Sequence, residues 1–278
     1  MNIGILMAGG TGNRMAASLP KQFIELGDKP IIMHSLSKLL ESGCFDAIYI
    51  GIHPDWADYM KNLLYSAGIT KNAPEIPQIH IIRGGDDRNS TLLNVLEAIE
   101  SDIRDSITSD TAYDGSDNPH VEEFDPIIVT HDAVRPFVTV KMIQDSVSEA
   151  AVHGAASVAI PTTDTIAHVG SQVGTQIGTE AGASDSPDLG ESAPDQPFTS
   201  AILDRNLLYN IQTPQSFRLS LFRQAYSSLS NDQIAALTDV CGIFAAAKIP
   251  VKIVPGSSEN IKITNPLDLE LSTLIYHA

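Results

Sequence analysis

Three glycines within four positions, Gly9, Gly10 and Gly12, directly follow an apolar run, Ile3-Gly4-Ile5-Leu6-Met7. Glycines placed there let backbone N–H groups approach phosphate oxygens closely and form an anion-binding nest. Arg14 ends the loop, and Lys21 follows within Pro20-Lys21-Gln22-Phe23. A guanidinium and an ammonium flanking such a nest could neutralise a triphosphate and the charge that develops when its phosphorus is attacked. A glycine run alone is also consistent with a plain tight turn, and a lone lysine with an ordinary solvated charge. Two familiar readings fail. A P-loop would end in Gly-Lys-Ser/Thr, but Asn13-Arg14-Met15 stands there, and a dinucleotide fingerprint would need a third glycine at position 15.

The elements that must carry this loop are readable from periodicity. Ile3–Met7 is a buried strand. Pro30–Ser42 has helical spacing of apolar residues and stops near Gly43. Ala47–Ile52 is apolar on both faces, Asp55–Ala67 reads as helix, and Ile79–Arg83 as a strand running into Gly84-Gly85. Ser90–Glu100 carries a stripe of Leu92, Leu93, Leu96 and Ile99. Pro126–Thr130 is a strand ending at His131-Asp132, Val140–Val152 a helix, and Ala156–Ile160 a strand. Strands alternating with helices predict an α/β fold, a mostly parallel twisted sheet flanked by helices. Ligands of such sheets sit beyond the carboxyl ends of the strands. Loops 8–14, 84–91 and 131–136 all fall at such ends, so the sequence predicts one shared site.

Size and charge bound the rest. The 278 residues, 43% hydrophobic, suit one domain over 1–278 with a core that needs no staples. Cys44 and Cys241 are far apart and suggest neither zinc nor a disulfide framework, which fits a reduced, cytoplasmic setting. A net charge of −17 argues against nucleic acid and anionic membrane as partners. No apolar stretch is long enough to span a bilayer. Segments 101–125 and 170–198 are poor in apolar residues and read as mobile insertions. The second interrupts a hairpin or arm between Ser157–His168 and Ala201–Gln212.

The block Ala8-Gly9-Gly10-Thr11-Gly12-Asn13-Arg14-Met15 with Pro20-Lys21-Gln22-Phe23 resembles the sugar-nucleotide pyrophosphorylase superfamily. Further blocks narrow the match: Gly84-Gly85-Asp86-Asp87-Arg88 with Thr91 and Asn94, then His131-Asp132-Ala133-Val134-Arg135-Pro136-Phe137. Asp204-Arg205-Asn206, Thr213-Pro214-Gln215-Ser216-Phe217, Leu237-Thr238-Asp239 and Asn260-Ile261-Lys262-Ile263-Thr264 follow in order. Together they are similar to the cytidylyltransferases that use 2-C-methyl-D-erythritol 4-phosphate or ribitol 5-phosphate, over nearly the whole chain except the insertions.

The resemblance implies a Rossmann-like nucleotidyltransferase fold with a protruding β-arm, and a reaction of CTP with a polyol phosphate giving a CDP-polyol and pyrophosphate. It assigns Arg14 and Lys21 to the reacting α-phosphate. Met7, Ala8, Gly9, Gly10, Thr11 and Gly12 would cradle the triphosphate, and Gly84, Gly85, Asp86, Arg88 and Thr91 would face cytosine and ribose. Asp132 would contact CTP and hold Mg²⁺, the implied cofactor. Lys262 would position the second substrate's phosphate. Arg135 would touch that substrate or brace its loop, and His131 reads as structural. Asp239 could cap a helix over Asp239–Ala247 and Thr213-Pro214-Gln215 could be a turn. Exchange of the arm across a homodimer is also implied.

The polyol turns on a few residues. Thr163, in Pro161-Thr162-Thr163-Asp164-Thr165, stands where methylerythritol enzymes carry an arginine, and losing it removes a bidentate phosphate clamp. Leu237-Thr238-Asp239-Val240-Cys241 lacks the paired Asp-Asp of those enzymes. These residues favour ribitol 5-phosphate and CDP-ribitol, as in teichoic acid synthesis. Methylerythritol phosphate, an isoprenoid precursor, is the alternative. Two rivals keep the fold and change the role: a nucleotide-binding regulator, which would lack the transition-state cations, and an interaction module acting through the acidic insertions.

Overall fold

The computed structural model describes residues 1–10, 19–69, 76–110, 124–170 and 198–278, without the side chains of residues 107–110, 170 and 198. Its centre is a seven-stranded sheet. Strand β1 (Asn2–Ala8) is followed by a short hairpin, β2 (Glu25–Leu26) and β3 (Lys29–Pro30), and helix α1 (Ile31–Glu41). Then come β4 (Ala47–Ile52), α2 (Ala57–Ser66), β5 (Gln78–Arg83), α3 (Arg88–Asp110), β6 (Ile127–Asp132), α4 (Val140–His153) and β7 (Ala155–Pro161). After a separate ladder of β8 (Ala167–Gly170) and β9 (Phe198–Ile202), the chain continues through β10 (Tyr209–Arg218), α5 (Leu219–Ser227), α6 (Asn231–Ala236), α7 (Val240–Ala246), β11 (Lys252–Pro255) and α8 (Pro266–His277).

The sheet order is β11-β7-β10-β6-β1-β4-β5. All pairs are parallel except those of β10, which runs antiparallel to both β6 and β7. Side chains of a strand alternate between faces, and β1 shows it. Ile3, Ile5 and Met7 join Leu92, Val95, Leu96 and Ile99 of α3, together with Phe217, Phe222 and Phe244. Leu6 and Ala8 join the opposite core with Ile32, Leu36 and Leu39 of α1, Met60 of α2 and Ile143 of α4. Helices therefore cover both faces, which is why these strands read as continuous apolar runs.

Registers align the strand ends. Met7 pairs with Asp132, Ala8 with Ile52, and Ile52 with Arg83. The chain crosses from the β4 side of β1 to its β6 side, so β1 lies at the topological switch point where open α/β sheets bind ligands.

Two expectations need correction. The segment 101–125 is not an insertion from its start, because α3 continues to Asp110. The Tyr49 hydroxyl donates to Asp102 at 2.7 Å and Ile103 packs on the α3 core, so tertiary contacts extend a helix whose apolar stripe fades. At the far end Asp125 accepts from the Ser220 N–H at 2.8 Å and its hydroxyl at 2.9 Å. Residues 111–123 and 171–197, which hold the rest of both expected insertions, lie outside the described residues. The second correction concerns the single hairpin, which is two ladders. Residues 155–161 pair with 209–217 in the main sheet, and 167–170 pair with 198–202 in a sheet of their own.

Candidate active site

A cleft of about 330 Å³ opens at the carboxyl ends of β1, β4, β5 and β6. It is lined by Met7, Ala8, Gly9 and Gly10, by Gly85, Asp86, Arg88 and Thr91, and by Lys21, Asp132 and Lys262. The structure thus joins the three loops that the sequence assigned to one site. Thr11, Gly12 and Arg14 lie outside the described residues. Gly84 sits behind the lining, its N–H donating to the Ile52 carbonyl at 2.6 Å.

Close packing explains the glycines. A Cβ on Gly9 would lie 2.8 Å from Thr91 Oγ1, and one on Gly85 would lie 2.4 Å from Ser90 Oγ. The glycine loop and the start of α3 therefore approach more tightly than side chains permit. Thr91 is buried, and its hydroxyl accepts from the Gly85 N–H at 3.1 Å while donating to the Asp87 carbonyl at 2.7 Å. Asp87 caps α3: its carboxylate accepts from the Ser90 N–H at 2.7 Å, and that bond holds its pKa below the usual carboxylate value.

Lys21 opens a 3-10 turn, Lys21–Phe23, that is pinned on two sides. Phe23 is buried against Trp56 and Tyr59. Gln22 is only 1% exposed, and its Nε2 donates to the Ala8 carbonyl at 2.9 Å and the Gly10 carbonyl at 3.2 Å. Gln22 therefore ties the Lys21 turn to the glycine loop. The sequence shows a glutamine beside the candidate lysine, but no local pattern tells which carbonyls it reaches. His53 also lines the cleft unannounced, its Nδ1 accepting from the Asp55 N–H at 3.3 Å at the end of β4.

Asp132 is the electrostatic centre. Its Oδ1 meets Arg88 Nη2 at 2.9 Å, and its Oδ2 meets Lys262 Nζ at 3.1 Å and Arg135 Nε at 3.4 Å. Burial alone would raise its pKa. Arg88, Lys262 and Arg135 overcome that and hold the carboxyl far below its ordinary range. Arg135 is braced further, its Nη1 donating to the Asn260 carbonyl at 2.7 Å, and it does not line the cleft. Ile263 N–H donates to the Val134 carbonyl at 2.9 Å, which fixes Lys262 beside the Asp132 loop. Both Asp132 oxygens are thus taken by cations. Among the described residues no group of three His, Cys, Asp or Glu side chains is arranged to hold a metal.

His131 is fully buried, with both ring nitrogens hydrogen-bonded. The Thr213 hydroxyl accepts from the Asp132 N–H at 3.1 Å and so donates to His131 Nδ1 at 3.0 Å. The remaining ring N–H then faces the Arg135 carbonyl at 3.1 Å. A fully enclosed neutral ring results, its pKa pushed down to about 4 by burial. Asp239 caps Val240–Ala246 by accepting from the Gly242 N–H at 2.8 Å, and Thr213-Pro214 is a cis peptide within β10. Thr163 is exposed just past β7 and is absent from the cleft lining.

A cleft at a sheet switch point, ringed by cations from separate loops, fits a nucleotidyltransferase. The profile of the IspD family, 2-C-methyl-D-erythritol 4-phosphate cytidylyltransferase, matches residues 3–114 and 188–277. The ribitol-5-phosphate cytidylyltransferase of Streptococcus pneumoniae serotype 2 is 36% identical over 269 residues, covering 96% of this chain and 95% of that protein. The chain belongs to the IspD-family cytidylyltransferases. Solved structures agree on the fold. The 4-diphosphocytidyl-2C-methyl-D-erythritol synthase of Anaerococcus prevotii superposes with a TM-score of 0.68 at 20% identity, covering 100% of this chain and 99% of that one. The 2-C-methyl-D-erythritol 4-phosphate cytidylyltransferase of Francisella tularensis gives 0.64 at 24% identity, with 99% of each chain covered.

Proposed function

We propose that the chain transfers CMP from CTP to ribitol 5-phosphate, releasing pyrophosphate and giving CDP-ribitol. The observation that carries this reading is the 36% identity to a ribitol-5-phosphate cytidylyltransferase across 96% of the chain. An oxygen of the acceptor phosphate attacks the α-phosphorus of CTP, forming one P–O bond. The bond from the α-phosphorus to the bridging oxygen breaks, and pyrophosphate leaves with that electron pair. The attacking oxygen is already anionic, so no general base is required. Positioning and charge stabilisation remain for the protein.

In this reading Lys21, with Arg14, stabilises the charge that builds on the α-phosphate. Met7 to Gly12 hold the triphosphate, and Gly84 to Thr91 take the cytidine, with Arg88 turned from that segment toward Asp132 and the phosphates. Lys262 faces the acceptor phosphate, and Arg135 supports it from behind through Asp132 and Asn260. Magnesium enters as part of the substrate, as MgCTP. Asp132, at the centre of the cleft's cations, is the carboxylate that would meet that ion. Thr163, exposed and outside the cleft, would meet a polyol through a homodimer in which the β8–β9 ladder reaches a partner's cleft. Exposed Val169, Ile202 and Leu207 on and beside that ladder support such a dimer.

Methylerythritol phosphate is the second reading, favoured by the description of the matching family profile. The test is pyrophosphate release from MgCTP with each polyol phosphate in parallel. Ribitol 5-phosphate should give the higher kcat/KM. Turnover with methylerythritol phosphate alone would replace the acceptor. Activity with neither, but with a hexose 1-phosphate and another nucleoside triphosphate, would sink the cytidylyl reading.

A further inference from the structure

Arg88, Arg135 and Lys262 come from three separate segments, yet all converge on one carboxylate, Asp132, which is 7% exposed. Three positive charges face a single negative one. The three cations are not equivalent. Arg135 is 11% exposed and has a second buried-side anchor at the Asn260 carbonyl. Arg88 and Lys262 are 25% and 39% exposed and line the cleft. The other contact of Arg88 is a longer one, Nη1 to the Thr238 carbonyl at 3.3 Å.

We infer that Asp132 is an internal counter-ion: it holds Arg88 and Lys262 across the cleft mouth and surrenders them to the phosphates of the substrates, keeping Arg135. Unscreened cations this close repel one another and would splay into solvent without a central anion. Held on Asp132 they stay aimed across the cleft mouth. An incoming phosphate offers the same charge-assisted geometry with more acceptor oxygens, and so replaces the carboxylate. Asp132 therefore competes with phosphate for the same donors. It weakens ground-state binding while holding the cations where the transferring charge will develop.

This inference rests on the reading that the cleft takes a triphosphate. Its test uses inorganic pyrophosphate, with chelator present to exclude divalent metal, and titration calorimetry on the full chain. Asp132→Asn should bind metal-free pyrophosphate about tenfold more tightly than the wild type, with a steeper loss of affinity in salt. In MgCTP turnover the same variant should be slower. Equal or weaker metal-free binding by Asp132→Asn would overturn the counter-ion role, since a metal ligand or a purely structural carboxylate does not compete with the anion. Should that variant not fold, carbon-detected NMR of the wild-type Asp132 carboxyl gives the same decision. A shift on saturation with metal-free pyrophosphate is expected, and an unmoved resonance contradicts the exchange. Wild-type protein that neither binds pyrophosphate nor turns over CTP would instead overturn the underlying nucleotide reading.

Discussion

Replacing Gln22 by Met isolates the tie between the lysine turn and the glycine loop. Met has nearly the same length and suits a buried site, but it has no donor. Two hydrogen bonds disappear, to the Ala8 carbonyl at 2.9 Å and the Gly10 carbonyl at 3.2 Å. At about 1 kcal/mol for each neutral bond, about 2 kcal/mol is at stake. If all of it maintains the loop shape that catalysis needs, kcat/KM for CTP falls by about 30-fold. If all of it serves the fold, global stability falls by about 2 kcal/mol instead. Steady-state pyrophosphate release and urea unfolding, run on the same preparations, separate the two. We expect kcat/KM for CTP to drop about tenfold or more, while KM for the polyol phosphate stays within twofold. A full stability loss with CTP kinetics unchanged would refute the reasoning, because the bonds would then serve the fold and not the loop.

Two further outcomes follow from the same contacts. Gly9→Ala forces a Cβ to within 2.8 Å of Thr91 Oγ1, whereas a Cβ on Gly10 meets nothing within 4 Å among the described residues. Chemical denaturation should show a loss of about 1–3 kcal/mol for the first and a small fraction of that for the second. His131 is neutral in the fold with a pKa near 4, below its ordinary 6.5. Its contribution to stability is complete above about pH 6.5 and is lost as pH falls toward 4, because the unfolded chain binds the proton first. Unfolding free energy should decline across that window by up to about 3 kcal/mol at about 1.4 kcal/mol per pH unit, and a flat profile would contradict the buried-neutral assignment. Asp132, with its lowered pKa, adds stability that is complete above the ordinary carboxylate range and is lost only as pH falls below it.

The sheet and the convergence of its loops were legible because apolar runs that end in glycine or charge leave little freedom. Ile3–Met7, Ala47–Ile52 and Ile79–Arg83 read as strands of one mostly parallel sheet, whose polar carboxyl ends then face one side. The second half of α3 was not legible. Residues 101–110 have a composition that suits solvent, and the Tyr49–Asp102 bond spans 53 positions that no local pattern reveals. The partners of Asp132 were hidden for the same reason: Arg88 is 44 positions before it and Lys262 lies 130 positions after it. A lone aspartate at a strand end suggests a metal ligand, and only the folded neighbours show that three cations converge on it. Gln22 escaped notice because an amide carries no charge pattern, and its role lies in which carbonyls it reaches. Thr163 was singled out from its place in a motif, and the single chain sets it apart from the cleft.

In the proposed reaction the bond broken in CTP is the one at the α-phosphorus. Supplying CTP labelled with ³²P at the α position, and in parallel at the γ position, with ribitol 5-phosphate and Mg²⁺ tests it directly. The account predicts that α label appears in CDP-ribitol and γ label only in pyrophosphate. Transfer of γ label to the polyol, or release of α label as CMP with no polyol product, would contradict it.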